Sequence, residues 1–383
     1  MTYKQFKDKK LSSLGFGAMR LPGTTPGWGA PIDYTKAEEM IDYAINSGIN
    51  YFDTSYFYHD GDSERFLGNT LNKYPRDTWY INSKLPGNLM SYNNKQLTVS
   101  GKSFNKPIDI FEFQMERCKV DYFDFFMLHN VSESTYDIYT NEELGLIDCL
   151  IEQKAKGRIK HLGFSSHGRH DTIDKFLNYS KRAGFEFVMI QLNYVDWVLQ
   201  EASKKYETIT RHGLSVMAME PLRGGRLAKM SGKAANLLGN NYTHAEWGFK
   251  FLQGLDNLLV VLSGMSNMEQ LRENIKTFSE YKPLIGSEKE VLTKVVDTIS
   301  ERVPCTGCRY CIEHCPANLD IPLLLTLYNE AGYEIGWFLN AAIKALNESK
   351  LPNNCTICKN CIPLCPQNID IPKALNEFSN MIK

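Results

Sequence analysis

The sequence predicts a (β/α)8 barrel followed by a small all-α domain. Between residue 14 and about residue 280, short apolar runs rich in β-forming residues alternate with amphipathic stretches, the pattern of strand–helix units on a parallel sheet. The second observation is that eight of the ten cysteines lie after residue 304 of the 383-residue chain. We therefore predict a barrel over residues 1–285, a linker helix over 286–303 and a cysteine-rich domain over 304–383.

Eight candidate strands read as apolar runs, as expected where both faces of a parallel sheet are buried; FDFFML and LLVVL are examples. Stretches such as TKAEEMIDYAINSG, NEELGLIDCLIEQKAKG and NMEQLRENIKTF have the apolar spacing of helices. A doubly wound open sheet is the alternative, because it also alternates strands with helices. The candidate strands are Leu14–Ala18, Asn50–Asp53, Trp79–Lys84, Phe123–Leu128, Ile159–Ser165, Phe187–Leu192, Leu214–Met219 and Leu258–Leu262.

Charge and hydropathy argue against several classes of partner. The chain has 43 basic and 44 acidic residues, so its charge gives no reason to expect a nucleic acid or an anionic membrane as partner. No run reaches the roughly 18 apolar residues that span a bilayer, and the N-terminus, MTYKQFKDKK, lacks the apolar core of a signal peptide. We therefore expect a cytoplasmic protein.

The cysteines after residue 304 form two copies of one motif. Each copy reads Cys-x2-Cys-x2-Cys-x3-Cys-Pro, which is the spacing of bacterial 4Fe–4S ligands. In proteins with two clusters, three thiolates of one loop bind one cluster and the fourth cysteine binds the other. We therefore predict one 4Fe–4S cluster on Cys305, Cys308, Cys311 and Cys365, and a second on Cys355, Cys358, Cys361 and Cys315.

Zinc is the alternative for these cysteines, because Cys-x2-Cys pairs also suit tetrahedral zinc. A zinc ion has no use for a third and fourth cysteine followed by proline, repeated twice. The two copies, CTGCRYCIEHCPANLDIP and CTICKNCIPLCPQNIDIP, agree at eleven of eighteen positions, and Asp320 or Asp370 is placed to cap a following helix. With two further helices expected between the copies, the tail resembles an α-helical two-cluster ferredoxin domain.

Polar residues stand at the ends of successive candidate strands, where a barrel carries its chemistry. Asp53 follows INYF, Tyr58 lies five residues on, Lys84 follows WYINS and His129 follows FDFFML. This arrangement resembles the catalytic tetrad of the aldo-keto reductases. The similarity extends over roughly residues 1–280 and includes LGFGAMRLP, GFSS, QLNY and EPLRGGRL.

The resemblance gives each of the four residues a role in reducing a carbonyl or oxidising an alcohol. A carbonyl that accepts a hydride needs a proton, and a tyrosine with an ordinary pKa near 10 is a slow acid at neutral pH. By resemblance Tyr58 is the acid and Lys84 lowers its pKa, while Asp53 orients the ammonium. His129 holds the carbonyl oxygen or relays the proton. The substrate is then a small carbonyl compound.

The resemblance also implies contacts to a nicotinamide cofactor. Ser165 and Gln191 match the residues that hold the carboxamide, while Ser166 stands where the family has asparagine and Met219 where it commonly has an aromatic residue. Gly264 and Gln270 replace the cations that NADPH-specific members use for the 2′-phosphate. Glu273 and Asn274, after strand eight, resemble the family's adenine contacts. The loop after strand seven, where barrels bind phosphate, supplies the remaining predicted contacts: Leu222, Arg223, Gly225 and Arg226.

Hydride chemistry and iron–sulfur chemistry differ in electron number. Nicotinamide moves two electrons together and each cluster passes one, whereas a flavin does both. We therefore hypothesise FMN in place of, or alternating with, NAD(P)H, and electron exchange with a carrier protein. The alternatives are an NAD(P)H-dependent carbonyl reductase with structural clusters and a redox sensor without catalysis.

The substrate pocket is expected to be lined by Trp28, Phe57, Trp197 and a long loop from Leu85 to Pro107.

Overall fold

Eight parallel strands close into a barrel, which confirms the predicted fold class and excludes the open sheet. The computed structural model describes residues 1–25, 30–299, 303, 305, 307–312, 314–333 and 335–382, so Trp28 lies outside the described residues. In chain order the strands are β1 (Tyr3–Phe6), β2 (Lys9–Ser12), β3 (Leu14–Gly17), β4 (Tyr51–Asp53), β5 (Tyr80–Leu85), β6 (Met90–Asn93), β7 (Gln96–Val99), β8 (Lys102–Phe104), β9 (Phe123–Leu128), β10 (Ile159–Ser166), β11 (Phe187–Gln191), β12 (Ser215–Met219) and β13 (Leu258–Gly264).

The barrel strands follow one another around the ring as β3, β4, β5, β9, β10, β11, β12 and β13, and β13 pairs with β3 to close it. All eight candidate strands therefore exist, and no end differs from the prediction by more than two residues. Because every strand is parallel to its neighbours, their C-terminal ends meet at one end of the barrel. This end carries the candidate site.

The remaining five strands were not predicted. β1 and β2 form an antiparallel hairpin, and Phe6 and Leu11 from it join the apolar cluster inside the barrel. The segment expected to be a long loop after Leu85 instead folds into a three-stranded antiparallel sheet of β6, β7 and β8. Its first turn has positive φ at Asn94 and Lys95, as two-residue hairpin turns require.

The described residues form fifteen α-helices. Caps fix several of their starts: Asp33 accepts a hydrogen bond from the Lys36 amide, and Thr243 and Glu246 form a capping box. The helices are α1 (Tyr34–Asn46), α2 (Asp62–Leu71), α3 (Pro107–Cys118), α4 (Tyr136–Thr140), α5 (Leu146–Ala155), α6 (His170–Tyr179), α7 (Asp196–Leu199), α8 (Ala202–Arg211), α9 (Gly232–Leu238), α10 (His244–Gln253), α11 (Met268–Thr277), α12 (Gly286–Ile299), α13 (Ile321–Tyr333), α14 (Trp337–Lys344) and α15 (Ile371–Met381).

The chain divides into two compact units. The first comprises residues 1–194, 201–229 and 242–285, and the second comprises 195–200, 230–241 and 286–383. Two short segments that precede the expected boundary at residue 285 thus group with the second unit, and one of them contains Trp197. Within the described part of the chain, every helix is too short or too polar to cross a membrane.

The second unit contains the two cysteine motifs, and their backbones match at the positions that the structure describes in both. Asp320 and Asp370 each accept a hydrogen bond from the amide three residues on, which confirms both predicted helix caps. Three equivalent positions in each copy have positive φ: the residues on either side of the second cysteine, and the asparagine two residues before the capping aspartate. Asn318 and Asn368, for example, have φ of 49° and 52°. The repeat seen in the sequence is therefore a repeat of conformation.

Candidate functional site

Four polar side chains meet at the C-terminal end of the barrel. Asp53 ends β4, Lys84 lies near the end of β5, His129 follows β9, and Tyr58 begins a short 3-10 turn after β4. All four are buried, with exposed fractions between 1% and 9%. Strand closure therefore brings together residues that lie up to 76 positions apart, from Asp53 to His129.

Lys84 is the centre of this cluster. Its Nζ donates to Asp53 Oδ1 at 2.6 Å, to the Thr54 carbonyl at 2.7 Å and to the Tyr58 hydroxyl at 3.4 Å. An ammonium has three N–H donors, so these contacts use all of them. The second carboxylate oxygen of Asp53 accepts a hydrogen bond from Asn82 at 2.5 Å. Asp53 therefore fixes the ammonium, and the ammonium contacts the phenol.

Burial controls the protonation of this cluster. It raises the pKa of Asp53 and lowers the pKa of Lys84, and in each case the charge of the partner opposes the shift. We expected Lys84 to lower the pKa of Tyr58, but burial raises it well above 10, and the charges of Asp53 and Glu220 raise it further. The phenol therefore keeps its proton at neutral pH, as a proton donor must.

His129 is held neutral and in a fixed orientation. Burial lowers the pKa of its imidazole well below 6.5, and the charges of Lys84 and His167 lower it further. The Ser55 hydroxyl lies 3.0 Å from His129 Nδ1, and the Phe57 ring stacks on the imidazole with centroids 5.2 Å apart. Phe57 is thus beside the site, as expected. Sequence reasoning missed Ser55, although it lies only two residues after Asp53.

Two family profiles match the chain. The Aldo/keto reductase family matches residues 13–284, and a 4Fe-4S dicluster domain matches residues 304–370. The chain belongs to the aldo/keto reductase family. It is therefore an oxidoreductase whose barrel is followed by an iron–sulfur domain.

Several known proteins are similar to three quarters of this chain, but the activities in their names differ. The chain is 26% identical to the uncharacterized oxidoreductase YqkF of Bacillus subtilis, with 75% of this chain and 96% of the relative covered. It is 24% identical to L-galactose dehydrogenase of Arabidopsis thaliana, over 75% and 90%. An aldo-keto reductase from Bacillus halodurans in its holo form superposes with a TM-score of 0.60 at 25% identity, covering 77% of this chain and 96% of that one.

In this aldo/keto reductase barrel, three of the residues expected to contact a nicotinamide have partners within the protein. Ser165 Oγ accepts a hydrogen bond from the Asn130 amide at 2.8 Å. Ser166 Oγ donates to the Val131 carbonyl at 2.6 Å and accepts from the Gly168 amide at 3.0 Å. Asn274 Nδ2 donates to Ser263 Oγ at 3.0 Å. The Ser166 hydroxyl therefore links the loops after β9 and β10, because it both donates and accepts a hydrogen bond through one oxygen atom.

The other predicted contacts surround the same end of the barrel. Gln191, Met219 and Gly264 end β11, β12 and β13, while Gln270 and the exposed Glu273 lie on α11. A 3-10 turn over Arg223–Ala228 carries the arginines and glycines of the predicted phosphate loop. Leu222 immediately precedes this turn, which contains Gly225 and Arg226.

Sequence reasoning also missed Arg20, which follows β3. A Cβ atom built on Gly264 would lie 3.1 Å from the Arg20 Cδ, and one built on Gly224 would lie 3.3 Å from its Nη2. Glycine at these two positions therefore leaves room for the arginine side chain between the loops after β12 and β13. A guanidinium there, beside the backbone of the turn after β12, suits the phosphate groups of a dinucleotide or of FMN. Glu220 Oε2 lies 3.9 Å from the same Cβ position at Gly224, so a carboxylate stands near this cation.

The cysteines of the second unit form two groups. Cys305, Cys308, Cys311 and Cys365 line one cavity, which is the first predicted ligand set. The pKa of the Cys361 thiol is raised to about 11, mainly by burial and also by the charges of the neighbouring Cys355, Cys358 and Cys315. Each group thus joins three cysteines of one motif with the fourth of the other, and a set of four thiols suits a 4Fe–4S cluster.

Proposed function

We propose that the barrel interconverts a small-molecule carbonyl and its alcohol, and that electrons reach or leave it through the two 4Fe–4S clusters and a carrier protein. The observation that supports this proposal best is the buried contact of Lys84 with both Asp53 and Tyr58. An ammonium held by a carboxylate at 2.6 Å and in contact with a protonated phenol suits proton transfer to an oxygen that gains charge.

The chain's own residues would handle the proton and orient the substrate. A nicotinamide or reduced flavin, when bound, supplies a hydride to the carbonyl carbon. Tyr58 then gives its phenolic proton to the carbonyl oxygen, so that an alcohol forms. Lys84, 3.4 Å from the phenol oxygen, stabilises the phenolate until water returns the proton. In the reverse direction the phenolate accepts the alcohol proton.

His129 would orient the carbonyl oxygen. When Ser55 donates its hydroxyl proton to Nδ1, the neutral imidazole carries its own proton on Nε2 and can donate it to the substrate. The stacked ring of Phe57 limits rotation of the imidazole. Ser55 is then a positioning residue that selects the useful tautomer.

FMN, bound in place of or alternating with a nicotinamide, would join the clusters to the hydride step. Electron counting supports this choice, because each cluster passes single electrons and hydride transfer needs two. Met219 stands where the family commonly has an aromatic residue, and Arg20 supplies a cation beside Gly264. The phosphate of FMN and the phosphates of a dinucleotide both fit this cation.

An NAD(P)H-dependent carbonyl reductase with structural clusters is the second candidate. It is favoured by Ser165, Gln191 and Asn274, which lie where the family binds nicotinamide dinucleotides. One relative, 22% identical over 70% of this chain and 90% of its own length, is named NADH-specific methylglyoxal reductase in Escherichia coli. The complete set of Asp53, Tyr58, Lys84 and His129 argues against a sensor, which has no need of an acid.

Anaerobic purification with cofactor extraction tests the proposed function. We expect about eight irons per chain, a flavin that is released on denaturation or taken up on titration, and carbonyl reduction driven by a reduced viologen. Turnover with NADPH or NADH, combined with no viologen-linked turnover and no flavin binding, would favour the second candidate. A panel of aldehydes and ketones would define the substrate class in the same assay.

Removing Arg20 should weaken cofactor binding. A hydrogen bond to a charged group contributes about 1.5–3 kcal/mol, so Arg20→Ala should raise the Kd of the cofactor by a factor of about ten to one hundred. Titration of FMN, NADPH and NADH against intrinsic fluorescence measures this Kd. Arg211→Ala removes an exposed arginine on α8 and is the matched control. Unchanged Kd values for all three cofactors in the Arg20 variant would exclude the phosphate role.

Removing the Ser55 hydroxyl should slow turnover without affecting the fold. A neutral hydrogen bond is worth about 1 kcal/mol, so Ser55→Ala should lower kcat for carbonyl reduction about fivefold, with little change in KM. Ser55→Thr should restore most of the rate, because it keeps a hydroxyl. Ser91→Ala, which removes an exposed hydroxyl paired with Thr98, is the control. An equal loss in both alanine variants would show that tautomer selection is not the cause.

A further inference from the structure

The two cysteine motifs share a backbone but differ in one side chain. The residue before the second cysteine has φ of 69° in the first motif and 57° in the second. Glycine occupies the position in the first motif, at Gly307, and isoleucine occupies it in the second, at Ile357. A β-branched residue is rarely found in the left-handed region, because its side chain crowds the backbone there. The second motif therefore holds a strained residue where its twin has none.

The strain at Ile357 is not offset by packing. The side chain is 56% exposed, so it adds little to the apolar core. Strained residues that persist without a structural benefit are found mainly at sites of contact with ligands and partners. Cys358 and Lys359, the next two residues, are exposed as well. An apolar side chain and a cation therefore flank one surface ligand of the second predicted cluster.

Charge also distinguishes the two motifs. Arg309 and Lys359 occupy equivalent positions, but Arg309 Nη2 lies 3.3 Å from Asp320 Oδ2, whereas no described residue forms an ion pair with Lys359. The sequence from residue 350 to residue 366 has two lysines and no acidic residue. The corresponding stretch, 300–316, has two glutamates and two arginines. In sequence, the second motif is therefore net positive and the first is balanced. Lys350 donates to the Asn318 carbonyl beside the first motif, so Lys359 is the exposed lysine next to Cys358.

We propose that the loop Thr356–Asn360 is the docking surface for an acidic, one-electron carrier protein. Ile357 makes the apolar contact, Lys359 attracts the acidic surface of the carrier, and Cys358 brings the edge of the cluster to the interface. One electron passes from the reduced carrier to the cluster bound by Cys355, Cys358, Cys361 and Cys315. The carrier is oxidised and the cluster reduced by one electron, and no bond forms or breaks. This inference rests on the proposed electron exchange.

Stopped-flow reduction of the clusters tests the surface without depending on the carbonyl reaction. Holoenzyme is mixed anaerobically with a reduced, acidic bacterial ferredoxin, and bleaching of cluster absorbance gives the second-order rate constant. Reduced methyl viologen, which needs no docking surface, is the reference reductant. We expect Lys359→Glu to lower the rate with ferredoxin about tenfold and to leave the rate with viologen unchanged. Arg309→Glu, at the equivalent position of the first motif, is the matched control and should change neither rate.

Ile357→Gly separates docking from folding. Because glycine adopts positive φ without crowding, this variant should unfold at a higher denaturant concentration than the wild type while keeping its full iron content. Its rate with ferredoxin should nevertheless fall several-fold. Two results would overturn the proposal: a loss in Arg309→Glu that equals or exceeds the loss in Lys359→Glu, or unchanged ferredoxin rates in both Lys359→Glu and Ile357→Gly. Absence of viologen-linked carbonyl turnover in the wild type would instead reject the proposed function.

Discussion

Tyr58→Phe is expected to lower kcat for carbonyl reduction by about three orders of magnitude. General acid catalysis contributes roughly 10²–10⁴-fold, and this substitution removes the only hydroxyl that contacts Lys84 among the described residues. The phenyl ring still fills its buried place against Phe57 and His129, so the fold should be retained. Steady-state rates with the best carbonyl substrate, together with circular dichroism, measure both effects.

Tyr56→Phe is the matched control for this experiment. Tyr56 lies two residues earlier, is also buried and loses the same hydroxyl, but its ring lies against Phe113 and Arg117 and away from Lys84. We expect its kcat to stay within about twofold of the wild type, because the Tyr56 hydroxyl is not among the groups that contact Lys84. A comparable loss in both variants, or near-normal activity of Tyr58→Phe, would mean that another group donates the proton.

Cys358→Ser is expected to abolish viologen-linked carbonyl reduction. A serine hydroxyl is a poor ligand for iron in place of a thiolate, so the variant should lose the second cluster and about four of eight irons. Under the proposed function, single electrons would then no longer reach the barrel. Iron and sulfide analysis of the anaerobic protein, followed by the viologen assay, measures this loss.

Cys149→Ser provides the control, because Cys149 lies on α5 in the barrel unit and far in sequence from either motif. It should keep both iron content and viologen-linked turnover.

The Cys358→Ser variant also distinguishes the two candidate functions. If Cys358→Ser retains viologen-linked activity at the wild-type level, the clusters do not conduct. If the wild type shows no viologen-linked turnover and Cys358→Ser keeps full turnover with NADPH, the clusters are structural.

The barrel strands were predictable because most of them are buried runs rich in apolar residues, such as FDFFML and FVMIQ, whereas the added strands were not. β1 and β2 consist of YKQF and KKLS, where polar residues dominate and only Phe6 and Leu11 reach the core. The sheet of β6 to β8 turns at Asn94 and Lys95, a pair without the glycine that marks most hairpin turns. Local patterns therefore missed strands whose stability depends on packing against other elements.

In the candidate site, too, some residues could be predicted from the sequence and others could not. Asp53, Lys84 and His129 were recognisable because strand ends can be read from the sequence. Ser55 and Arg20 were missed because their importance comes from contacts with residues far along the chain, at His129 and Gly264. The pKa of Tyr58 was expected to fall and instead rises, since burial outweighs the nearby ammonium and burial cannot be read from neighbouring residues.

The buried pair of Asp53 and Lys84 has a consequence for ionic strength. Their side chains are only 5% and 2% exposed, so dissolved ions cannot approach them. Salt screens exposed charges over a Debye length of about 8–10 Å but has much less effect on buried pairs. Proton transfer in the barrel should therefore be nearly independent of salt, while the proposed docking of an acidic carrier at the exposed Lys359 should weaken as salt is added. A salt titration can thus separate chemistry from electron delivery in the unmodified protein.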